Sequence, residues 1–177
     1  MLIRQALAAA AATAALIGAG LFTGASAASA SVLPPESSPG AVQLVNQNSG
    51  KCLEVADWRT DNGAPVRQWD CTGGANQKWV PAGFYYAWNT YVNVYSGKCL
   101  EIADWRTDNG APARQWDCTG GANQKWAISS SGGDSTYGLL KNYNSYRCVV
   151  VQGVQNGNTA FQYDCDDWYA DQIWHAV

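Results

Sequence analysis

Residues 49–79 read SGKCLEVADWRTDNGAPVRQWDCTGGANQKW, and residues 96–126 repeat them with two changes only, Val55 to Ile102 and Val66 to Ala113. The offset is 47 residues. A third copy, SYRCVVVQGVQNGNTAFQYDCDDWYADQIW at residues 145–174, keeps both cysteines, the Asn-Gly turn and the closing Gln-x-Trp. It loses two residues before the turn and gains one before the glutamine. Units of this size cannot bury a hydrophobic face alone, so three in tandem predict an internally symmetric fold.

Within a unit the apolar segments are short, β-branched or aromatic, and bounded by Gly, Asn, Asp and Pro. VQLVNQ, KCLEVA and VRQW read as strands, with turn chemistry in NSG and DNGAP. Residues 41–177 show no sustained helical period. Short strands at regular spacing predict a closed all-β architecture, since closure removes exposed edges. Periodicity alone leaves sandwich, propeller and barrel open.

Six cysteines permit 15 pairings, and the repeat selects one: Cys52 with Cys71, Cys99 with Cys118, and Cys148 with Cys165, one pair per unit. Zinc is disfavoured, because there is no Cys-x-x-Cys pair and His175 is the single histidine. No metal is expected. Disulfides imply export, and residues 1–30 fit that reading: Arg4, a long Ala/Leu/Ile/Gly run, then small residues suited to cleavage after Ala27 or Ala30. The expectation is a signal peptide at 1–30, a Pro/Ser/Gly leader at 31–40 and a secreted domain at 41–177. Of eleven Lys/Arg only Arg4 precedes residue 31, leaving ten against fourteen Asp/Glu. A mildly acidic chain with no basic cluster argues against nucleic acid as partner, and no later segment is apolar enough for membrane insertion.

Cys-Leu-Glu-Val at residues 52–55, Asn-Gly-Ala-Pro at 62–65, Gln-Trp-Asp-Cys at 68–71 and three Gln-x-Trp triplets (Gln77/Trp79, Gln124/Trp126, Gln172/Trp174) resemble the ricin B-type lectin domain, in its secreted bacterial form. The resemblance covers residues 41–177. It implies a β-trefoil of three lobes, at 41–88, 89–135 and 136–177, each with one potential sugar pocket. Carried over position by position, the stacking ring falls on Trp69, Trp116 and Tyr163. The carboxylate that accepts sugar hydroxyls falls on Glu54 and Glu101, where the family usually has Asp, and the amide on Asn76 and Asn123. Gln77 and Gln124 orient the pocket from behind. Arg67 and Arg114 either donate to a hydroxyl or pair with Glu54 and Glu101. In the third unit Val150 and Asp171 replace the carboxylate and amide, so that lobe is expected to contribute little.

Trp79, Trp126 and Trp174 are expected in the core, as a large ring recurring in every symmetric unit. Gln68 and Asp70 flank Trp69 with polar groups, which places that ring at the surface. Trp58 and Trp105 either widen the binding face or pack beneath their loop. Glu54 with Asp57 is a conceivable glycosidase pair, yet it recurs as Glu101 with Asp104, and duplicated sites belong to binders. His175 has no evident nucleophile beside it, so no enzyme activity and no cofactor are expected. The leading expectation is a secreted monomer that binds polysaccharide or clustered glycans. The alternative is an interaction protein on the same fold, such as a protease inhibitor with vestigial pockets.

Overall fold

The computed structural model describes residues 40–85, 88–129 and 136–177; the expected signal peptide, and all but the last residue of the expected leader, lie outside them. Twelve strands follow in three sets of four. The first lobe holds β1 (Leu44–Asn46), β2 (Cys52–Val55), β3 (Val66–Trp69) and β4 (Trp79–Tyr85). The second holds β5 (Trp88–Asn93), β6 (Cys99–Ile102), β7 (Ala113–Trp116) and β8 (Trp126–Ser129). The third holds β9 (Tyr137–Asn142), β10 (Cys148–Val150), β11 (Phe161–Tyr163) and β12 (Ile173–Ala176). Among the described residues, helix is confined to three-residue 3-10 turns.

Six strands close a ring. β1 pairs with β12, β12 with β9, β9 with β8, β8 with β5 and β5 with β4, all antiparallel, and a Val42–Trp79 bridge joins β4 to the approach to β1. The other six form the hairpins β2–β3, β6–β7 and β10–β11. Bridges Pro65–Arg114, Arg67–Thr159 and Pro112–Phe161 tie these hairpins to one another, so each touches both others. This is the β-trefoil, with closure doing for the sheet edges what the spacing predicted.

Each lobe contributes the same parts to one core. Trp79, Trp126 and Trp174 are fully buried, and their indole N–H groups donate to the carbonyls of Leu53, Leu100 and Val149 at 3.0, 2.9 and 3.0 Å. A buried Trp satisfied in this way adds a large apolar surface without a stranded donor. Leu44, Leu53, Val55, Leu100, Ile102, Leu140 and Val149 pack around the rings. The disulfides are Cys52–Cys71, Cys99–Cys118 and Cys148–Cys165, one inside each lobe, and no described cysteine is free.

The lobes are joined by polar groups. Gln68 is fully buried, on the face of β3 opposite to the partly exposed Trp69. Its amide donates to the carbonyls of Gly153 and Gln155 in the third lobe, both at 3.0 Å, and accepts from Ser49 Oγ at 2.7 Å. Gln115 does the same to Arg59 and Asp61 of the first lobe, and Gln162 to Arg106 and Asp108 of the second. Outside this ring of amides run three clasps: Asn62 to Asp117, Asn109 to Asp164 and Asn156 to Asp70. Each is the Asn of one lobe's Asn-Gly turn meeting the Asp of another lobe's aromatic-Asp-Cys phrase.

Trp126→Ala is expected to destabilise by about 3–5 kcal/mol, the usual cost of emptying a large aromatic site, read from urea unfolding; a loss under about 1 kcal/mol would show the ring is dispensable. The clasps make a pH prediction. A hydrogen bond from Lys98, and then one from Asn62, hold the Asp117 carboxyl below its ordinary range. A depressed folded value means stability that is present above the unfolded carboxyl's pKa of about 3.9 and lost as pH falls through the folded one. Asp117→Asn should therefore be less stable than wild type at neutral pH, with the gap closing on acidification; a gap constant from pH 7 to 2 contradicts this.

Candidate functional site

Strand alternation builds the site. In β3 Val66 and Gln68 point inward, so Arg67 and Trp69 emerge together on the outer face, and β7 repeats this with Arg114 and Trp116. The β2–β3 register sets Glu54 opposite Arg67, as β6–β7 sets Glu101 opposite Arg114. Arg67 Nε donates to Glu54 Oε1 at 3.0 Å and Nη2 to Asp57 Oδ1 at 2.9 Å, while its guanidinium lies 4.5 Å from the Trp69 ring centre. In the second lobe the same three distances, Arg114 to Glu101, Asp104 and Trp116, are 2.9, 2.9 and 4.3 Å.

Two amides hold the other side of each glutamate. Asn76 Nδ2 donates to Glu54 Oε2 at 3.2 Å and to the Val55 carbonyl; Gln77 Nε2 donates to the same Oε2 at 3.0 Å and to the Asp70 carbonyl. Asn123 and Gln124 do this for Glu101. Of the roughly four acceptor directions of a carboxylate, protein donors fill three, and Glu54 and Glu101 are each only 4% exposed. Asn76 Oδ1 and Asn123 Oδ1 are buried acceptors without a donor. Such a group costs about 1–3 kcal/mol until something bonds to it.

The outer carboxylate comes from an unusual backbone. Asp57 and Trp58 both take left-handed φ values, 53° and 54°, and Asp104 and Trp105 repeat them at 55° and 56°. Such residues are held by their surroundings. Arg67 pulls Asp57 down, and Trp58 lies on Gly74, where a Cβ would stand 3.0 Å from the indole and 2.8 Å from Asn76 Oδ1. Only glycine permits that approach. Trp58 also meets the Tyr95 edge at 4.9 Å.

In the second lobe these groups enclose a cleft of about 250 Å³, with Trp105 and Trp116 among its walls, Glu101 and Asn123 lining it, and Arg114 and Asp104 beside them. The third lobe has a cleft of about 340 Å³ bordered by Val150, Tyr163, Tyr169 and Asp171. Val150 supplies no acceptor there, and burial pushes the Asp171 carboxyl above its ordinary range. Among the described residues no His, Cys, Asp and Glu cluster is placed to hold a metal ion, and no helix is long and apolar enough to cross a membrane.

The family model described as a ricin-type β-trefoil lectin domain matches residues 40–174. The chain belongs to that family. A designed threefold-symmetric protein, ThreeFoil, is similar at 30% identity and a TM-score of 0.74 over 78% of this chain and 99% of its own. An exo-β-1,3-galactanase from Clostridium thermocellum is similar at 29% identity and a TM-score of 0.73, over 79% of this chain and 30% of its own. Serine protease 1 of Rarobacter faecitabidus is 50% identical over 40 residues, 23% of this chain and 7% of the protease. The chain thus spans a small part of that curated relative.

In this lectin domain each of the first two lobes brings together the residues expected from the sequence: Glu54, Arg67, Trp69, Asn76 and Gln77 in one, Glu101, Arg114, Trp116, Asn123 and Gln124 in the other. Tyr163 borders the third cleft and is 45% exposed. The arginines pair with the glutamates, and they reach a second carboxylate as well. Trp58 and Trp105 are about half exposed while packed on Gly74 and Gly121. Sequence reasoning missed Asp57 and Asp104 as site groups, because it weighed them only as a catalytic pair. Their recurrence three residues after each glutamate was the available signal.

Breaking a largely buried ion pair from one side leaves a stranded charge. Arg114→Met should cost about 3 kcal/mol, and Glu101→Gln with Arg114→Met should cost less than the arginine change alone. A thermodynamic cycle from urea unfolding checks this; a double variant at least as unstable as the sum of the singles removes the coupling.

Proposed function

We propose that this lectin domain is a secreted carbohydrate-binding module, holding polysaccharide or clustered glycans through the shallow clefts of its first two lobes. The observation that carries the reading is the duplicated set of groups: ring, paired carboxylates, guanidinium and amide recur with hydrogen-bond lengths matching to about 0.2 Å. An interaction surface needs one such patch, and a polymer of repeating units rewards two.

The chemistry follows from the groups. Trp69 or Trp116 presents an aromatic surface to the C–H side of a sugar ring. One hydroxyl donates to the remaining direction on Glu54 Oε1 and a second to Asp57. Arg67 Nη1, the guanidinium nitrogen outside both ion pairs, donates to a sugar oxygen. Trp58 closes the far wall. The galactanase supports the reading of a module, since the matching segment is 30% of that enzyme and accounts for 79% of this chain. We infer that the protein works alone or beside a separate enzyme.

A shallow site with Kd near 1 mM corresponds to only about 4 kcal/mol, whereas two sites on one polymer raise avidity by about 10²-fold or more. A glycan array with the full chain is expected to favour dense or polymeric saccharides over free monosaccharides. Trp69→Ala with Trp116→Ala should abolish retention on the best polymer while the fold persists, and Tyr163→Ala should leave most retention intact. A double variant that binds as wild type does, or loss of binding on Tyr163→Ala alone, would falsify the assignment of lobes. Absence of any array signal would instead favour a protein partner.

A further inference from the structure

One aromatic cluster breaks the repeat. After the first strand of each lobe, the chain turns through the same backbone bond, from Gly50 to Asn46, Gly97 to Asn93 and Tyr146 to Asn142. All three residues take left-handed φ, 65°, 69° and 57°. Glycine does so freely, and a tyrosine there costs about 1–2 kcal/mol. The ring gains only partial burial in exchange, since Tyr146 is 58% exposed. Tyr143, four residues after Leu139, also departs from its counterparts Gln47 and Val94.

These two rings meet Trp88 from the start of β5. Centroids lie 5.0 Å apart for Trp88 and Tyr143, 6.4 Å for Trp88 and Tyr146, and 6.1 Å for the two tyrosines. Two cations attend them, Lys141 Nζ at 5.4 Å from the Tyr146 ring and Lys125 Nζ at 5.9 Å from that of Tyr143. None of the ion pairs among the described residues includes Lys141. The same turn adjoins the second-lobe cleft, where Asn144 Nδ2 donates to the Trp105 carbonyl at 3.2 Å.

We propose that Trp88, Tyr143, Tyr146 and Lys141 form a second saccharide surface for acidic sugars, binding the uronate units of a polysaccharide whose strand runs on into the second-lobe cleft. The proposal rests on the reading of that cleft as a sugar site. The aromatic faces take the C–H surface of a sugar ring and the ammonium takes its carboxylate, a pairing that neutral sugars cannot make. Backbone strain at an exposed ring marks a residue kept for contact rather than for stability.

Retention of the full chain on polygalacturonate, compared with the same polymer fully methyl-esterified, tests this at fixed ionic strength. Wild type should be held more tightly by the acidic form. Lys141→Gln should erase the difference between the two polymers. Tyr146→Gly, which installs the residue of the sister lobes, should weaken binding about tenfold, the scale of one aromatic contact, with melting temperature unchanged or raised. Equal retention of wild type on both polymers overturns the proposal, as do variants that both bind like wild type. The Trp69→Ala, Trp116→Ala protein on the same columns separates the two readings: that protein held like wild type counts against the clefts, and Tyr146→Gly held like wild type counts against the platform.

Discussion

Three buried glutamines hold the lobes in one ring, and the binding face depends on where they sit. Gln68, Gln115 and Gln162 are fully buried, and each side chain spends its donors on two carbonyls of a different lobe and its acceptor on a serine of its own. Their backbones are as fully used: Gln115 N–H donates to Ala64, and its carbonyl accepts from Gly63. A buried amide is costly unless its groups are satisfied, and for these three glutamines satisfaction is possible only across lobes. No lobe completes itself, which is the physical content of a repeat that needs its neighbours.

The same constraint orients the site. With a side chain of period two fixed inward at Gln68, Arg67 and Trp69 have one face left to occupy, and it is the outer one. The cation therefore lies against the ring, and Glu54 across the hairpin takes the other side of the guanidinium. Arginine suits this place because its planar fork reaches two carboxylates while its face covers an aromatic ring, which a lysine ammonium does not do. Neighbouring loops finish the wall: a Cβ on Gly63 would touch Trp116 at 3.7 Å, and one on Gly157 would touch Trp69 at 3.8 Å. Trp69 and Trp116 are thus each buttressed by the Asn-Gly turn of another lobe.

Comparing the three copies of the repeat made the disulfide pairing, the buried Trp79, Trp126 and Trp174 and the co-location of Glu54, Trp69 and Asn76 legible, because each recurs at one offset. Three things were not legible. Gln68 reads as a surface residue on any pattern that equates polar with exposed, and only its cross-lobe partners explain its burial. Asp57 reaches the site through two successive left-handed residues, a conformation that side chains rarely adopt and that no periodicity signals. The third-lobe departures read as losses, Val150 for the carboxylate above all, and no recurrence in the repeat marks Tyr143 and Tyr146.

Copies that stay alike and a copy that diverges respond to different pressures on one scaffold. The first two segments keep every polar contact of the site, from the paired carboxylates on Arg67 and Arg114 to the amides on Glu54 and Glu101. The third segment trades its carboxylate for Val150 and its turn glycine for Tyr146, so it gives up one kind of contact and accepts strain for another. A fold whose lobes are joined through Gln68, Gln115 and Gln162 tolerates both, because the side chains of Val150 and Tyr146 make no hydrogen bond in that ring of amides. Threefold symmetry in the core and asymmetry on the surface are therefore compatible, and the surface is where this lectin domain is free to be specific.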